Sequence, residues 1–299
     1  MKSSEGYAFV RPGLHLYYRI LGEGTETVVV PNANWLWEPL QPLAEGRRLI
    51  LYDPRSRGRS SVGDPRQLGL ETDVADLEAV RRYFGLDRMI LLGSSYHAAI
   101  TALYAVENIE RVARMLLVCP ITPRRPGEWL QELPSPDVLI HPPGMPRLDE
   151  LRREGVEEED PAAYCRAWFT QFLLPAMMGE ASAVARFPVA DVCAFPNEWP
   201  QRAIPLYFER IVPGMGDWDF RPRLAGLDRP VLVIQGTDDL VPQEASRDWA
   251  AALPGARFLP IDGAGHHPYL ERPKEFFPAA EAFLRGGWPD GAEIVPRPQ

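Results

Sequence analysis

Lysine is almost absent from the chain: Lys2 and Lys274 are the only two, and arginine supplies the rest of the 32 basic residues. No block of positive charge stands out, and 41 acidic residues bring the net charge to −9. Nucleic acids and anionic membrane surfaces are recognised through a positive face, so neither is expected as a partner. Cysteine is scarce as well. Cys119, Cys165 and Cys193 are odd in number and widely spaced, and no disulfide framework or zinc pattern reads out of them. Long apolar runs are also missing. Nowhere do roughly eighteen apolar residues follow one another, and the opening Met-Lys-Ser-Ser-Glu-Gly-Tyr lacks a stretch of signal-peptide length. A soluble, cytoplasmic protein is the expectation.

What is present describes a globular chain. Its 299 residues are 45% hydrophobic and 24% charged, which excludes a disordered protein and allows a large core without metal or disulfide staples. Proline, at 32 residues, is about twice the usual share of roughly 5% and crowds into the middle of the chain.

The first 120 residues alternate between short strands and helices. Strands are predicted at Leu14–Leu21, Thr27–Val30, Arg48–Tyr52, Met89–Leu92 and Arg114–Val118. Gly22-Glu23-Gly24 suits a hairpin or tight connection between the first two. Val74, Leu77, Val80 and Phe84 recur at helical spacing with Gly85 as the stop, and 98–106 is rich in helix formers. After Pro120 the alternation lapses into proline, acidic clusters and aromatics, with short helices plausible near 161–173 and 200–211. It resumes at Val231–Ile234, with a helix from Glu244, a strand at Arg257–Ile261 and a helix over Lys274–Leu284. The tail from Gly286 is expected to fray. This is an α/β pattern: a mostly parallel sheet with helices on both faces, built from 1–120 and 223–299, and a largely helical cap insertion at 121–222.

Gly93-Ser94-Ser95-Tyr96-His97 lies between the buried run Met89–Leu92 and an alanine-rich helix. A nucleophile elbow would sit there, with a small residue two positions before the serine and helix N–H groups aimed at an oxyanion beside it. Gly93 points to Ser95; Leu92, two before Ser94, is bulky. A Gly-x-Ser triplet alone means little, since Gly58-Arg59-Ser60 is another. Two further strands each deliver a polar residue at their carboxyl ends. Pro230–Gly236 leads into Thr-Asp-Asp, where Asp239 is favoured over Asp238, and the strand ending at Ile261 leads to His266, favoured over His267. The order serine, acid, histidine suits this architecture.

With these stretches in view, the chain resembles an α/β-hydrolase-fold serine hydrolase. Leu51-Tyr-Asp-Pro-Arg-Ser-Arg-Gly-Arg-Ser60 is similar to the family's D-x-R-G-x-G-x-S turn, and Gly93-Ser-Ser95, Gly236-Thr-Asp-Asp239 and Gly265-His266 to its nucleophile, acid and base segments. The Pro31-Asn32 stretch, the arginine-rich turn and the long insertion are most similar to the prolyl-aminopeptidase-like and esterase-like branch. The resemblance implies a cofactor-free hydrolase of an ester, lactone or small amide, with Ser95 as nucleophile, His266 as base and Asp239 as orienting acid. It implies an oxyanion hole from the backbone N–H of Tyr96 and one from the loop after Val30. Where relatives begin that loop with His-Gly, this chain has Pro31-Asn32-Ala33-Asn34-Trp35, and Asn34 is the expected donor, with Ala33 behind it.

His97 departs from the family, which has glycine at that position. Either it reaches the pocket as a substrate contact or proton shuttle, or it is a packed histidine without a role; it also motivates the alternatives of a lyase, C–C-bond hydrolase or acyltransferase. A ligand-binding module with little turnover is a third possibility. The insertion's aromatics, including Trp129, Phe195 and Trp199, point to a small-molecule substrate of apolar character, with Trp35 and Trp168 among the candidate contacts. An aminopeptidase would need a cap carboxylate for the substrate amine; Glu180, Glu198 and Glu209 are available, Glu209 being the most suggestive. Neighbouring His266 and His267 do not make a metal site, and no metal is expected. Oligomeric state is not legible.

Overall fold

Eight strands form a single sheet in the computed structural model of the chain, which describes residues 2–125, 138, 141–194 and 206–297. They are β1 (Ser3–Arg11), β2 (Leu14–Leu21), β3 (Thr27–Pro31), β4 (Arg48–Tyr52), β5 (Met89–Ser94), β6 (Val112–Val118), β7 (Val231–Gly236) and β8 (Ala256–Ile261). Their spatial order is β1-β2-β4-β3-β5-β6-β7-β8. β1 and β2 are an antiparallel hairpin and β2 runs antiparallel to β4; from β4 to β8 every neighbour is parallel.

Side-chain alternation sorts the core into two layers. Val28, Val30, Leu49, Leu51, Ile90, Leu92, Leu232 and Ile234 face the helix Pro273–Leu284. Val29, Ile50, Leu91, Leu117 and Val233 face the helices Leu70–Tyr83, Tyr96–Glu107 and Gln243–Ala252. Both faces of the parallel strands are covered, so these strands read as unbroken apolar runs.

The edges of the sheet hold the differences from expectation. β1 leaves no signal in the sequence because most of it is exposed, so its residues do not alternate apolar with polar. Gly22-Glu23-Gly24 is not a hairpin turn, because β4 lies between β2 and β3. The tail does not fray at once: Glu293 exchanges backbone hydrogen bonds with Phe258 at 2.8 and 2.9 Å, and Trp288 packs on Phe283.

Between β6 and β7 the described residues contribute short helices and no strand to the sheet. Cys165 and Cys193 are joined there by a disulfide, which linear spacing did not suggest because the fold of the segment closes the gap of 28 residues. Arg19 and Arg59 both pair with Asp191, at 3.0 and 2.6 Å, and hold this segment against the sheet. Trp129, Phe195, Glu198 and Trp199 lie outside the described residues. Among the described residues, no helix is long and apolar enough to cross a membrane.

Candidate active site

Ser95 sits between β5 and the helix Tyr96–Glu107 with φ 54° and ψ −128°. A non-glycine residue in this region carries strain of roughly 1–3 kcal/mol, which its surroundings must offset. Its N–H donates to the Val118 carbonyl at 3.0 Å, tying the turn to the end of β6. Gly93 has no alternative here: a Cβ would fall 2.6 Å from the Ala98 Cα and 2.6 Å from the His97 carbonyl oxygen. The strand can then pass directly beneath the helix, and the turn lifts Ser95 to the cavity.

Asp239 and His266 arrive from the ends of β7 and β8. His266 Nδ1 lies 2.8 Å from Asp239 Oδ1, and both side chains are buried. Asp239 also accepts from the Val241 N–H at 3.0 Å and from Gln235 Nε2 at 3.3 Å, which fixes its orientation. Asp238, the alternative acid, is exposed. Burial works against a charged imidazolium at His266, but the adjacent Asp239 and its hydrogen bond, with Glu271 further off, hold its pKa above the ordinary value. His267 does not pair with Asp239; its Nδ1 lies 2.5 Å from the Tyr269 hydroxyl. Burial and the neighbouring His266 push its pKa well below the ordinary value.

Cys119, at the end of β6, offers a sulfur that lies with ligand atoms of Asp239 and His266 within 4.8 Å of one another. Asp239 and His266 are already bonded to each other, and burial pushes the thiol well above its usual pKa.

The loop after β3 corrects one expectation. Asn32 adopts a left-handed conformation at φ 83°, and the Asn34 N–H donates to the buried Asp53 carboxylate at 2.7 Å. That N–H is therefore spent and cannot also hold an oxyanion. Its side chain is committed too, donating to the Val192 carbonyl at 3.1 Å. Ala33 opens the short helical turn Ala33–Leu36, where N–H groups lack partners within the turn. Asp53 takes the Arg59 N–H on its other oxygen at 3.0 Å, and burial pushes its carboxyl up to about 6 against the pull of both donors.

Ser95, His266, His267, His97, Tyr96 and Trp35 line one cavity of about 200 Å³. Most of the remaining wall is apolar, with Phe208, Met215 and Trp218 from the segment between β6 and β7. No Asp, Glu, Lys or Arg is among the lining residues described. Trp168 is not one of them. It is fully buried against Phe169 and Phe172, so it belongs to the core of that segment. Glu209 is exposed and off the wall, and Glu180 pairs with Arg272 at 2.6 Å outside the cavity.

His97 has found its room at the cavity wall. Its Nε2 lies 3.1 Å from the Tyr207 hydroxyl. Burial, helped by the nearby Arg57 guanidinium and opposed by the Ser94 backbone carbonyl, lowers its pKa to about 3, so the ring is neutral.

A model of the alpha/beta hydrolase family matches residues 27–279. The chain belongs to the alpha/beta hydrolase family. It is 24% identical over 288 residues to a proline iminopeptidase of Lactobacillus helveticus (strain DPC 4571), covering 91% of this chain and 95% of that one. It is 27% identical over 296 residues to 2-hydroxy-6-oxononadienedioate/2-hydroxy-6-oxononatrienedioate hydrolase 2 of Pseudomonas putida, covering 92% and 94%. In fold it is similar to the enol-lactonase of Burkholderia xenovorans LB400, with a TM-score of 0.67 and 24% identity over 94% of this chain and 100% of that one. The protein is an alpha/beta hydrolase enzyme.

In this hydrolase, one contributor to the site escaped the sequence reading. Glu271, nearly fully buried, accepts the N–H of Gly265 at 3.0 Å and of His267 at 3.1 Å, the two residues that flank His266. It also accepts the Gly179 N–H at 3.1 Å from the segment between β6 and β7. The Met177 carbonyl accepts the His266 N–H at 2.9 Å. Glu271 lies five positions after His266, and the turn Pro268–Glu271 folds the carboxylate back under the loop. A glutamate near a histidine carries no such signal in a linear sequence.

Proposed function

We propose that this hydrolase cleaves a neutral, largely apolar ester or lactone through an acyl-enzyme on Ser95. The observation that carries the reading is the 2.8 Å His266–Asp239 pair opening on the same cavity as Ser95 at its strained turn. Ser95 Oγ attacks the acyl carbon while His266 Nε2 takes the hydroxyl proton. The carbonyl oxygen gains the negative charge and is held by the N–H groups of Tyr96 and Ala33. The bond to the leaving group then breaks, and the imidazolium returns its proton to the departing oxygen. Water repeats the sequence on the acyl-enzyme: His266 accepts its proton, the hydroxide oxygen joins the acyl carbon, and Ser95 regains its hydrogen as the acid leaves. Asp239 fixes the imidazole tautomer and stabilises the imidazolium.

The segment 121–222 acts in this reading as a cap that excludes water and supplies much of the apolar wall of the pocket. The uncharged lining supports a neutral substrate. An aminopeptidase would need a carboxylate for the substrate amine, and a dianionic substrate would need a cation; neither lines the cavity among the described residues. An ester or lactone therefore fits better than an amino-terminal amide. The partner is a small molecule, with neither nucleic acid nor membrane required. Location turns on Cys165 and Cys193: found reduced, they fit the cytoplasm; bonded, they point to an oxidising compartment.

A fluorophosphonate probe tests the reading. Wild-type protein is expected to be labelled, with the label on Ser95 by peptide mapping and absent from Ser95→Ala. Turnover of p-nitrophenyl esters is expected to disappear with it. An unlabelled, inactive wild-type protein would overturn the proposal.

A further inference from the structure

Ala33 is 1% exposed, and its backbone N–H has no hydrogen-bond partner among the described residues. Buried N–H groups are nearly always paired, so an orphan of this kind asks for a reason. Both neighbouring N–H groups are committed. The Asn32 N–H donates to the Tyr52 carbonyl at 2.7 Å, and the Asn34 N–H donates to Asp53 Oδ1 at 2.7 Å. Tyr52 ends β4, the parallel neighbour of β3, and Asp53 follows it directly. Two consecutive residues at the end of one strand thus grip the chain on either side of Ala33. The left-handed Asn32 makes the bend that lets the chain meet them both.

We infer that Asp53 is a positioning residue for hydrolysis: its carboxylate fixes the Asn34 peptide and so keeps the Ala33 N–H unpaired and aimed for the oxyanion. The inference rests on the hydrolase reading above and names the group that holds one of the two oxyanion donors. The Tyr96 N–H needs no such device, because the twelve-residue helix it opens aims it. Ala33 opens a helical turn of only four residues, Ala33–Leu36, too short to be rigid by itself. A carboxylate is the stronger anchor here, since charge-assisted hydrogen bonds are shorter and stronger than neutral ones. Asp53 is locked in turn. Its other oxygen takes the Arg59 N–H at 3.0 Å, and a Cβ at Gly58 would strike the carboxylate. The Asn34 side chain braces the loop from the segment between β6 and β7, donating to the Val192 carbonyl at 3.1 Å. Donors held in advance of the reaction need no reorganisation when the charge develops.

The test compares Asp53→Ala, which removes both acceptor oxygens, with Asp53→Asn, which keeps one. Rates on p-nitrophenyl butyrate are taken per Ser95 titrated with fluorophosphonate, so unfolded protein does not count. Asp53→Ala is expected to lose about 10²-fold in kcat with KM within about threefold, the pattern of a lost oxyanion donor. Asp53→Asn should recover part of that loss. An alkylboronic acid, whose adduct with Ser95 puts an oxygen where the oxyanion forms, should lose affinity in step with kcat/KM. A per-site kcat within about threefold of wild type in both variants, or unchanged boronate affinity, would overturn the inference. Wild-type protein decides if the variants do not fold. In its amide NMR spectrum the boronic acid should move the Ala33 and Tyr96 N–H signals downfield and leave Asn32 and Asn34 in place; movement of Asn34 instead of Ala33 would overturn the inference. Labelled Ser95 with full activity in both variants removes only the role of Asp53, whereas an unlabelled wild-type protein without turnover removes the hydrolase reading and this inference together.

Discussion

The Glu271 carboxylate accepts the Gly265 N–H at 3.0 Å, one residue before the histidine whose imidazole faces Asp239. With the His267 and Gly179 donors, one buried side chain ties the base loop to the segment above it. Glu271→Gln replaces an acceptor-only group with an amide that turns N–H groups toward N–H groups. Its expected effect is a loss of about 1.5–3 kcal/mol in stability, because charged hydrogen bonds are weakened. A fall in kcat larger than any change in KM should accompany it. Denaturant unfolding and steady-state kinetics on one ester check both.

Gly93→Ala places a methyl group 2.6 Å from the backbone of the following helix. Neither the strand nor the helix yields cheaply, so about 1–3 kcal/mol of destabilisation is expected. Thermal unfolding measures it, and an unchanged Tm would show that the helix moves away freely.

Asp239→Asn should keep the shape of the site but remove the charge that favours the imidazolium and the correct tautomer. A fall in kcat of about 10³- to 10⁴-fold is expected, with KM much less affected. Retention of near-wild-type kcat would place the orienting role elsewhere.

His266 must be neutral to accept the Ser95 proton, so activity is present above its pKa and lost below it. Because Asp239 holds that pKa above the ordinary value of 6.5, kcat/KM should rise with a midpoint above 6.5. His97, near 3, stays neutral throughout and contributes no second step. A pH–rate profile between pH 5 and 9 on an uncharged ester tests this. A midpoint clearly below 6.5 would contradict the raised His266.

Non-reducing peptide mapping should recover Cys165 and Cys193 in one linked pair, with Cys119 free and resistant to alkylation until the protein unfolds. Reduction, or Cys193→Ser, should lower stability by about 2–4 kcal/mol, as expected for releasing a closed loop.

The sequence alone determined the strands at the centre of the sheet and the places where polar residues leave them. The apolar blocks of β3, β4, β5 and β7 are buried on both faces, and that burial writes itself into local composition as runs bounded by glycine and proline. Gly93, Ser95, Asp239 and His266 stood out because a sharp turn or a strand end restricts the residue types that fit there. Tertiary structure alone decided what pairs with what. The Asn34 N–H was committed to Asp53, Trp168 was withdrawn into a local core, Glu271 was folded under the base loop, and Tyr207 was brought to His97 from 110 residues away. Hydrogen bonds and packing of this kind depend on the direction of a donor or a ring in space, and a linear pattern carries spacing but not direction.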